Sequence, residues 1–301
     1  MSLRLDSWGE GAIARLGAIA AHPTLQPEFE LLTGRSLAPV MGDAYNREDC
    51  RRIAVLDGAD VGLAFALVVP TVTHRFAVFR FGVIEPARRR GVGSALLAAV
   101  RDEVLAVAPD VTEFEIASIV PNPAAEGFAA HHGYRPRRTY WLMERPGDTV
   151  PAPEWPPGVE IRRFDGSPRD IECWIDVFNR SWQEQDHPIL ATVADMKRHL
   201  AGGMLDPPGM HFALRAGEPV GFVRGALHET RGEIAVVGVV PEERGRGLGR
   251  ALLRLGSRWL LDHGARHVTL HVDGENERAL RLYRQESFEV MLTRRLWSRM
   301  P

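Results

Sequence analysis

The sequence predicts an α/β (α+β) protein built twice from the same kind of domain. Three observations carry that expectation. Strand-like and helix-like runs alternate along all 301 residues. A β-rich run, a glycine-rich turn and an amphipathic run occur in that order twice, around residues 83–97 and 236–258. A proline-rich break separates the two copies.

Composition bounds the rest. A hydrophobic fraction of 45% and a charged fraction of 25% are ordinary for a globular chain, and the length favours two domains over one. A formal net charge of −2 supplies no basic field for nucleic acid. Cys50 and Cys173 fall one in each half, in no metal-ligand or redox spacing, so neither a disulfide framework nor a metal site is expected. The opening MSLRLDSWGEG has no apolar core of a signal peptide, and no window approaches the ~18 apolar residues of a membrane span. The expectation is a cytoplasmic protein that engages no membrane.

Taken in order, residues 8–21 read as a helix, with Ile13, Leu16 and Ile19 on one face and Pro23 as a stop. Residues 24–50 carry no clear pattern. Residues 53–56 and 61–69 flank Asp57-Gly58 as a hairpin, and 76–84 is the next strand. A helix follows over about 93–107, then a strand over 113–120, a helix over 123–132 closed by Gly133, and a strand over 138–143. Five prolines between Arg145 and Gly158 exclude a helix or inner strand. The division is therefore 1–146, a linker at 147–158, and 159–301. In the second half 159–164 is a strand, 168–182 a helix, and Thr192 the N-cap of a helix to about Leu200. Strands follow at 211–215 and 220–227, then 233–240, and a helix runs from the glycine turn to about Asp262 with Gly264 just beyond. Residues 267–272 are a strand, 275–285 a helix, and 288–297 one or two closing strands.

The turn Arg244-Gly245-Arg246-Gly247-Leu248-Gly249 suits an anion. First-turn amides of a helix have no intrahelical partner, the helix dipole is positive there, and glycine lets a pyrophosphate approach the backbone. Gly91 and Gly247 stand 156 residues apart, Gly62 and Gly221 159, and Tyr134 and Phe288 154. Near-equal offsets over a whole half mean a duplicated domain.

At these residues the chain resembles the GNAT superfamily of N-acetyltransferases, twice over. The superfamily's Arg/Gln-x-x-Gly-x-Gly/Ala motif is matched by Arg244 to Gly249 and by Arg88-Arg89-Arg90-Gly91-Val92-Gly93. Its later Asn-x-x-Ala-x-x-Leu-Tyr motif, followed by Gly-Phe, is matched by Asn276, Ala279, Leu282, Tyr283 and Phe288, with Ser287 in place of the glycine. The tandem layout is similar to that of the mycothiol synthase family. The resemblance implies, in each domain, a mixed central sheet splayed into a V and flanked by helices, with acetyl-CoA as cosubstrate in the V. It implies that Arg244, Gly245, Arg246, Gly247, Leu248, Gly249 and Arg250 surround the pyrophosphate, that amides at Val237 and Val239 meet the pantetheine and thioester, and that Asn276 belongs to the same site. The turn at Arg88, Arg89, Arg90, Gly91, Val92, Gly93 and Ser94 is a second candidate, holding either a CoA or only the fold.

The two halves are unequal. Aligned on these motifs, Glu233 falls opposite Ala77 and Tyr283 opposite Ala129, so the first half is expected to be catalytically degenerate. The resemblance then implies direct transfer in the second half. Glu233, through a water, deprotonates the amine of a small-molecule acceptor, and Tyr283 protonates the departing thiolate. Other readings stay open: another acyl group, an aminosugar-thiol acceptor like that of mycothiol synthase, or a non-catalytic acyl-CoA-binding regulator. His271 and Asp273 read as a polar groove wall rather than a metal site, and Trp174 with Phe178 as core. Trp182, Glu184, Asp186 and His187 fall in the loop where the family's acceptor groove forms, and the two carboxylates belong either to a solvated loop or to a site for a cationic amine.

Overall fold

The computed structural model describes residues 2–7, 12–25, 28–29, 45–71, 73–183, 191–203, 205 and 207–301. The chain forms two compact units, residues 1–138 with 294–301, and residues 139–293.

In the first unit the elements are β1 (Leu3–Ser7), α1 (Ile13–Ala20), β2 (Asn46–Leu56), β3 (Ala59–Pro70), β4 (Arg75–Val83), α2 (Val92–Val107), β5 (Val111–Val120) and α3 (Pro123–His131). Strand β6 (Arg135–Arg145) begins here and continues into the second unit. That unit continues with β7 (Val159–Arg163), α4 (Pro168–Trp182), α5 (Val193–Ala201), β8 (Met210–Arg215), β9 (Glu218–His228), β10 (Arg231–Val239), α6 (Leu248–Asp262), β11 (His267–Asp273) and α7 (Glu277–Gln285). The last strand, β12 (Glu289–Arg299), ends in the first unit.

Strand order in the first unit is β1-β2-β3-β4-β5-β12, and in the second β6-β11-β10-β9-β8-β7. The closing strands are thus exchanged relative to a linear division of the chain. Residues 140–145 pair antiparallel with β11, and Met143 among them is fully buried in the second core. Trp297, near the C-terminus, is buried in the first core. The proline-rich segment 147–158 is strapped along the second unit. Its carbonyls at Val150, Ala152 and Pro157 accept from Arg258 (3.0 Å), Arg254 (3.3 Å) and Arg215 (2.7 Å).

Most elements stand where periodicity put them, for local reasons. Helix α2 buries Leu96, Leu97, Val100 and Val104 at helical spacing. Ser167 and Thr192 cap α4 and α5, their side chains accepting the amides of Asp170 and Asp195. Gly264 follows α6 at φ +100°. Strand β1 has no counterpart in the sequence reading. It is a five-residue edge strand with two leucines, too short to show a period, and its pairing to β2 defines it. Residues 8–11 and most of 26–44 lie outside the described residues, so only Ile13–Ala20 of the first expected helix can be compared.

Both sheets part in the middle. Strand β4 pairs parallel with β5 from Arg75 to Phe79 only, though the two strands run on to Val83 and Val120. Strand β10 pairs with β11 from Arg231 to Ile234 only, and a bulge on its β9 side between Ile234 and Val236 turns it away. Each unit therefore contains a mixed sheet splayed into a V, facing a helix N-terminus.

One buried carboxyl in the first unit has a measurable signature. Burial pushes Glu115 up to about 7, with nearby Glu113 adding to the rise against the pull of Arg137 and Arg80. The unfolded carboxyl ionises near 4.5, so stability is lost as pH rises from there through 7. Glu115→Gln is expected to stabilise the protein more at pH 8 than at pH 5.5, by about 1–2 kcal/mol, in paired denaturant melts.

Candidate active site

The glycine turn of the second unit starts at Pro241–Glu243, a single 3-10 turn, and ends where Gly247 caps α6 in the left-handed region at φ +87°. Gly245 is also left-handed, at φ +80°, a conformation that costs an L-residue about 1 kcal/mol or more. The first helical bond runs from Ala251 N–H to Gly247 O (3.1 Å). The amides of Leu248, Gly249 and Arg250 therefore have no partner within the helix and point out of its positive end. A Cβ built on Gly249 would meet only Val239 and Leu282, at 3.8 and 3.9 Å, so glycine is not required there by packing.

Arg244 is tied into the turn through both its amide and its side chain. Its amide donates to Pro241 O (3.2 Å), and its guanidinium donates to Val239 O (3.0 Å) and Ser181 O (2.9 Å). It shapes the turn. Arg88 does the same in the first unit, donating from Nε to Val83 O (3.0 Å). Arg246 lies 3.5 Å from buried Glu243, and Arg250 lies 3.1 Å from Glu286. The site's capacity for a phosphate thus rests on backbone amides more than on guanidinium groups. Asn276 is also committed in part. Its side-chain oxygen accepts the Ala279 amide (3.0 Å) and caps α7, which fixes the helix that carries Tyr283.

Past the bulge, Val240 N–H donates to Val220 O on β9 (3.1 Å). Amide direction alternates along a strand, so those of Val239 and Val237 point the other way, into the V. Gly238 lies between them. A Cβ there would fall 2.5 Å from the Phe222 ring of β9 and 3.2 Å from Ser181 Cβ of α4, so glycine is what leaves room for that ring. Ser181 Oγ and Trp182 Nε1, at the end of α4, are buried without a hydrogen-bond partner among the described residues. Ser181 adjoins this strand and has no signal in the sequence, while Trp182, expected in the loop, is the last residue of α4. Residues 184–190 lie outside the described residues, and with them Glu184, Asp186 and His187.

Glu233 stands on β10 opposite Ala226 of β9 and Thr269 of β11. His228 and His271 are each two residues on from those partners and share its face of the sheet. Nε2 of His228 lies 3.4 Å from one Glu233 oxygen, and Nδ1 of His271 3.7 Å from the other. Burial alone would raise the Glu233 pKa. The nearby imidazoles of His228 and His271, with the Arg224 guanidinium, outweigh it and hold the carboxyl well below its usual range. Glu233 is thus a fixed negative charge between two imidazoles. Cross-strand register brings the two imidazoles together, so no local signal in the sequence marks His228, and His271 reads there only as groove wall. Among the described residues, no group of three or more His, Cys, Asp or Glu is arranged to hold a metal ion.

Tyr283 lies on α7, 8% exposed, with its ring 6.0 Å from Phe288. Burial pushes its phenol up to about 12, so it stays protonated at physiological pH. The chain after α7 turns through Ser287 at φ +65°, where the first unit has Gly133 at φ +76°.

The first unit keeps the turn but not these side chains. Gly91 is left-handed at φ +80°, and Arg89 takes the left-handed place of Gly245 at φ +62°. Ala77 and Ala129, both fully buried, stand where the second unit has Glu233 and Tyr283. Phe128 replaces Leu282, its ring 5.3 Å from Phe81 and 3.2 Å from a Cβ built on Gly93. Ser94 Oγ is held by His132 Nε2 at 2.9 Å.

Comparison with known proteins agrees with this geometry. The profile of the acetyltransferase (GNAT) family matches residues 20–134 and 171–288. Mycothiol acetyltransferase of Thermobispora bispora is 39% identical over 215 residues, covering 68% of this chain and 70% of that protein. The enzyme of the same name from Catenulispora acidiphila is 35% identical over 214 residues, covering 68% and 67%. Among solved structures, a GCN5-related N-acetyltransferase from Sphaerobacter thermophilus superposes with a TM-score of 0.78 over 99% of this chain and 95% of its own, at 21% identity. A tandem GNAT protein from the clavulanic acid biosynthesis pathway gives 0.73 over 99% and 98%, at 17% identity, a likeness of fold. The chain belongs to the GNAT family of N-acetyltransferases, with the family's domain present twice.

Proposed function

We propose that the second unit carries out acetyl-CoA-dependent N-acetylation of a small-molecule amine. The observation that carries the reading is the flanking of one V. A fixed carboxylate, Glu233, stands on the strand that forms one wall, and a protonated phenol, Tyr283, stands on the helix after the other. The glycine turn opens beside them with three amides unpartnered within the helix. Acetyl-CoA supplies the acetyl group and a thiolate leaving group. Amides of Leu248, Gly249 and Arg250 hold phosphate oxygens, while Val237 and Val239 donate to the arm and to the thioester oxygen, whose charge grows during attack.

Glu233 attracts and orients the substrate ammonium. Because it is so weakly basic, the proton passes through water toward the carboxylate–imidazole group of Glu233, His228 and His271. Tyr283 gives its proton to the departing sulfur, and alignment of the two substrates supplies much of the acceleration. Glu233→Gln is expected to lower kcat roughly 10- to 100-fold. Glu233 itself should contribute no acid limb to the wild-type profile, because it is ionised throughout the accessible range. Parallel pH–rate profiles measure both.

The acceptor we favour is an aminosugar carrying a thiol, of the type implied by the name of the relatives, mycothiol acetyltransferase. Incubation with acetyl-CoA and a panel of amines, including the desacetyl precursor of mycothiol, tests this. Preferred turnover of that precursor supports it. Turnover of other amines alone replaces the acceptor, and CoA binding without turnover of any amine replaces the reaction.

A further inference from the structure

In the first unit the corresponding V has the opposite polarity. Arg80 is the first β4 residue beyond the last paired position, Phe79, and Arg294 comes from β12, the neighbour of β5. Arg294 is 7% exposed, and among the described residues neither of its terminal nitrogens has a hydrogen-bond partner; nor does Nη1 of Arg80. Their second-unit counterparts by repeat offset are Val236 and Tyr140.

The acidic groups nearby do not satisfy them. Glu28 spends Oε1 on Ser118 Oγ (2.6 Å) and the Ile119 amide (2.8 Å). Its Oε2 has no hydrogen-bond partner among the described residues and lies 4.0 Å from Arg294, beyond hydrogen-bond reach. Glu115, pushed up to about 7, is partly neutral at physiological pH. Burial pushes Arg294 down to about 9, with Arg80 adding repulsion and Glu28 opposing it; burial likewise pushes Arg80 down to about 10. Two desolvated guanidinium groups with three idle nitrogens are a costly arrangement for a structural core.

The geometry points to a binding site for a small carboxylate in the V of the first unit, held by Arg294 and Arg80. The two terminal nitrogens of Arg294 match the two oxygens of a carboxylate end-on, and Arg80 Nη1 adds a third donor. Glu28 Oε2 accepts from a hydroxyl or amine beside that carboxylate. The site needs neither the Arg88–Ser94 turn nor a CoA. Its ligand is of opposite charge to the cationic amine expected at Glu233. A copy of the domain that lost the acetyl-transfer side chains thereby keeps a binding function.

Isothermal titration of the full chain with succinate, lactate and inorganic phosphate, at ionic strength matched with NaCl, tests this. One carboxylate is expected to bind per chain, with phosphate weaker. Arg80→Gln and Arg294→Gln should each weaken binding at least about tenfold, the loss of one charge-assisted contact, whereas Gly249→Leu in the second unit should not change it. If Arg294→Gln does not fold, Arg294→Lys, which keeps the charge but not the paired donors, should show the same loss. Saturable binding that persists in both arginine variants, or no binding of any of the three anions, overturns the inference. Acetyl-transfer activity bears on neither outcome, so failure here leaves the proposed reaction standing.

Discussion

A fragment beginning in the proline-rich segment, residues 147–301, is expected to be unable to fold alone. It would retain α6, α7 and the glycine turn but lose β6, whose residues 140–145 cover one edge of β11. Losing Met143, fully buried, from the second core costs on the order of 2–5 kcal/mol. Loss of the six-residue ladder leaves β11 as an open edge prone to foreign pairing. Against a total stability of about 5–15 kcal/mol, the two together are decisive. The complementary fragment 1–146 would lack Trp297, which is buried in its core. Neither fragment should show a cooperative thermal transition by calorimetry, while the two expressed together should co-purify. A cooperative melt of 147–301 alone near that of the intact chain would mean that the exchanged strands matter little.

Tyr283→Phe is expected to lower kcat about 10²- to 10³-fold, with the KM for acetyl-CoA changed by less than about threefold. The substitution keeps the buried ring against Phe288, at a centroid distance of 6.0 Å, so the melting temperature should hold. What it removes is a proton held by a phenol of pKa about 12, which the departing sulfur needs only as its bond to the acetyl carbon breaks. An acid with that pKa produces no alkaline limb within the stable pH range, so the loss should be uniform across pH. A variant with full activity at every pH would assign the acid role to another group.

How much of this could be read in the sequence depended on the range of each interaction. The turns at Gly91 and Gly247, the caps at Ser167 and Thr192, and the helix periods are set within a few residues, and the chain spells them out. The duplication was legible because equal offsets survive where side chains diverge. Glu233 and Tyr283 came from the family resemblance and not from spacing alone. The two histidines beside Glu233 depend on the register of three strands, and nothing local marks it. Arg80 and Arg294 are 214 residues apart in the chain, and their proximity follows from an exchange of closing strands that no repeat count reveals. The Arg244 guanidinium ties the carbonyls of Val239 and Ser181, a tertiary contact that the local motif does not encode.

The central claim is that acetyl transfer depends on the second glycine turn. Gly249→Leu tests it directly, since the first added carbon fits the folded chain, with its nearest neighbours at 3.8 Å, while the side chain intrudes where phosphates would meet the helix. The measurement is steady-state acetyl transfer from acetyl-CoA to the best amine acceptor, with the melting temperature as a control. Turnover should fall by at least about 100-fold at unchanged melting temperature. Undiminished turnover in a folded Gly249→Leu protein would contradict the account and move catalysis to the first turn.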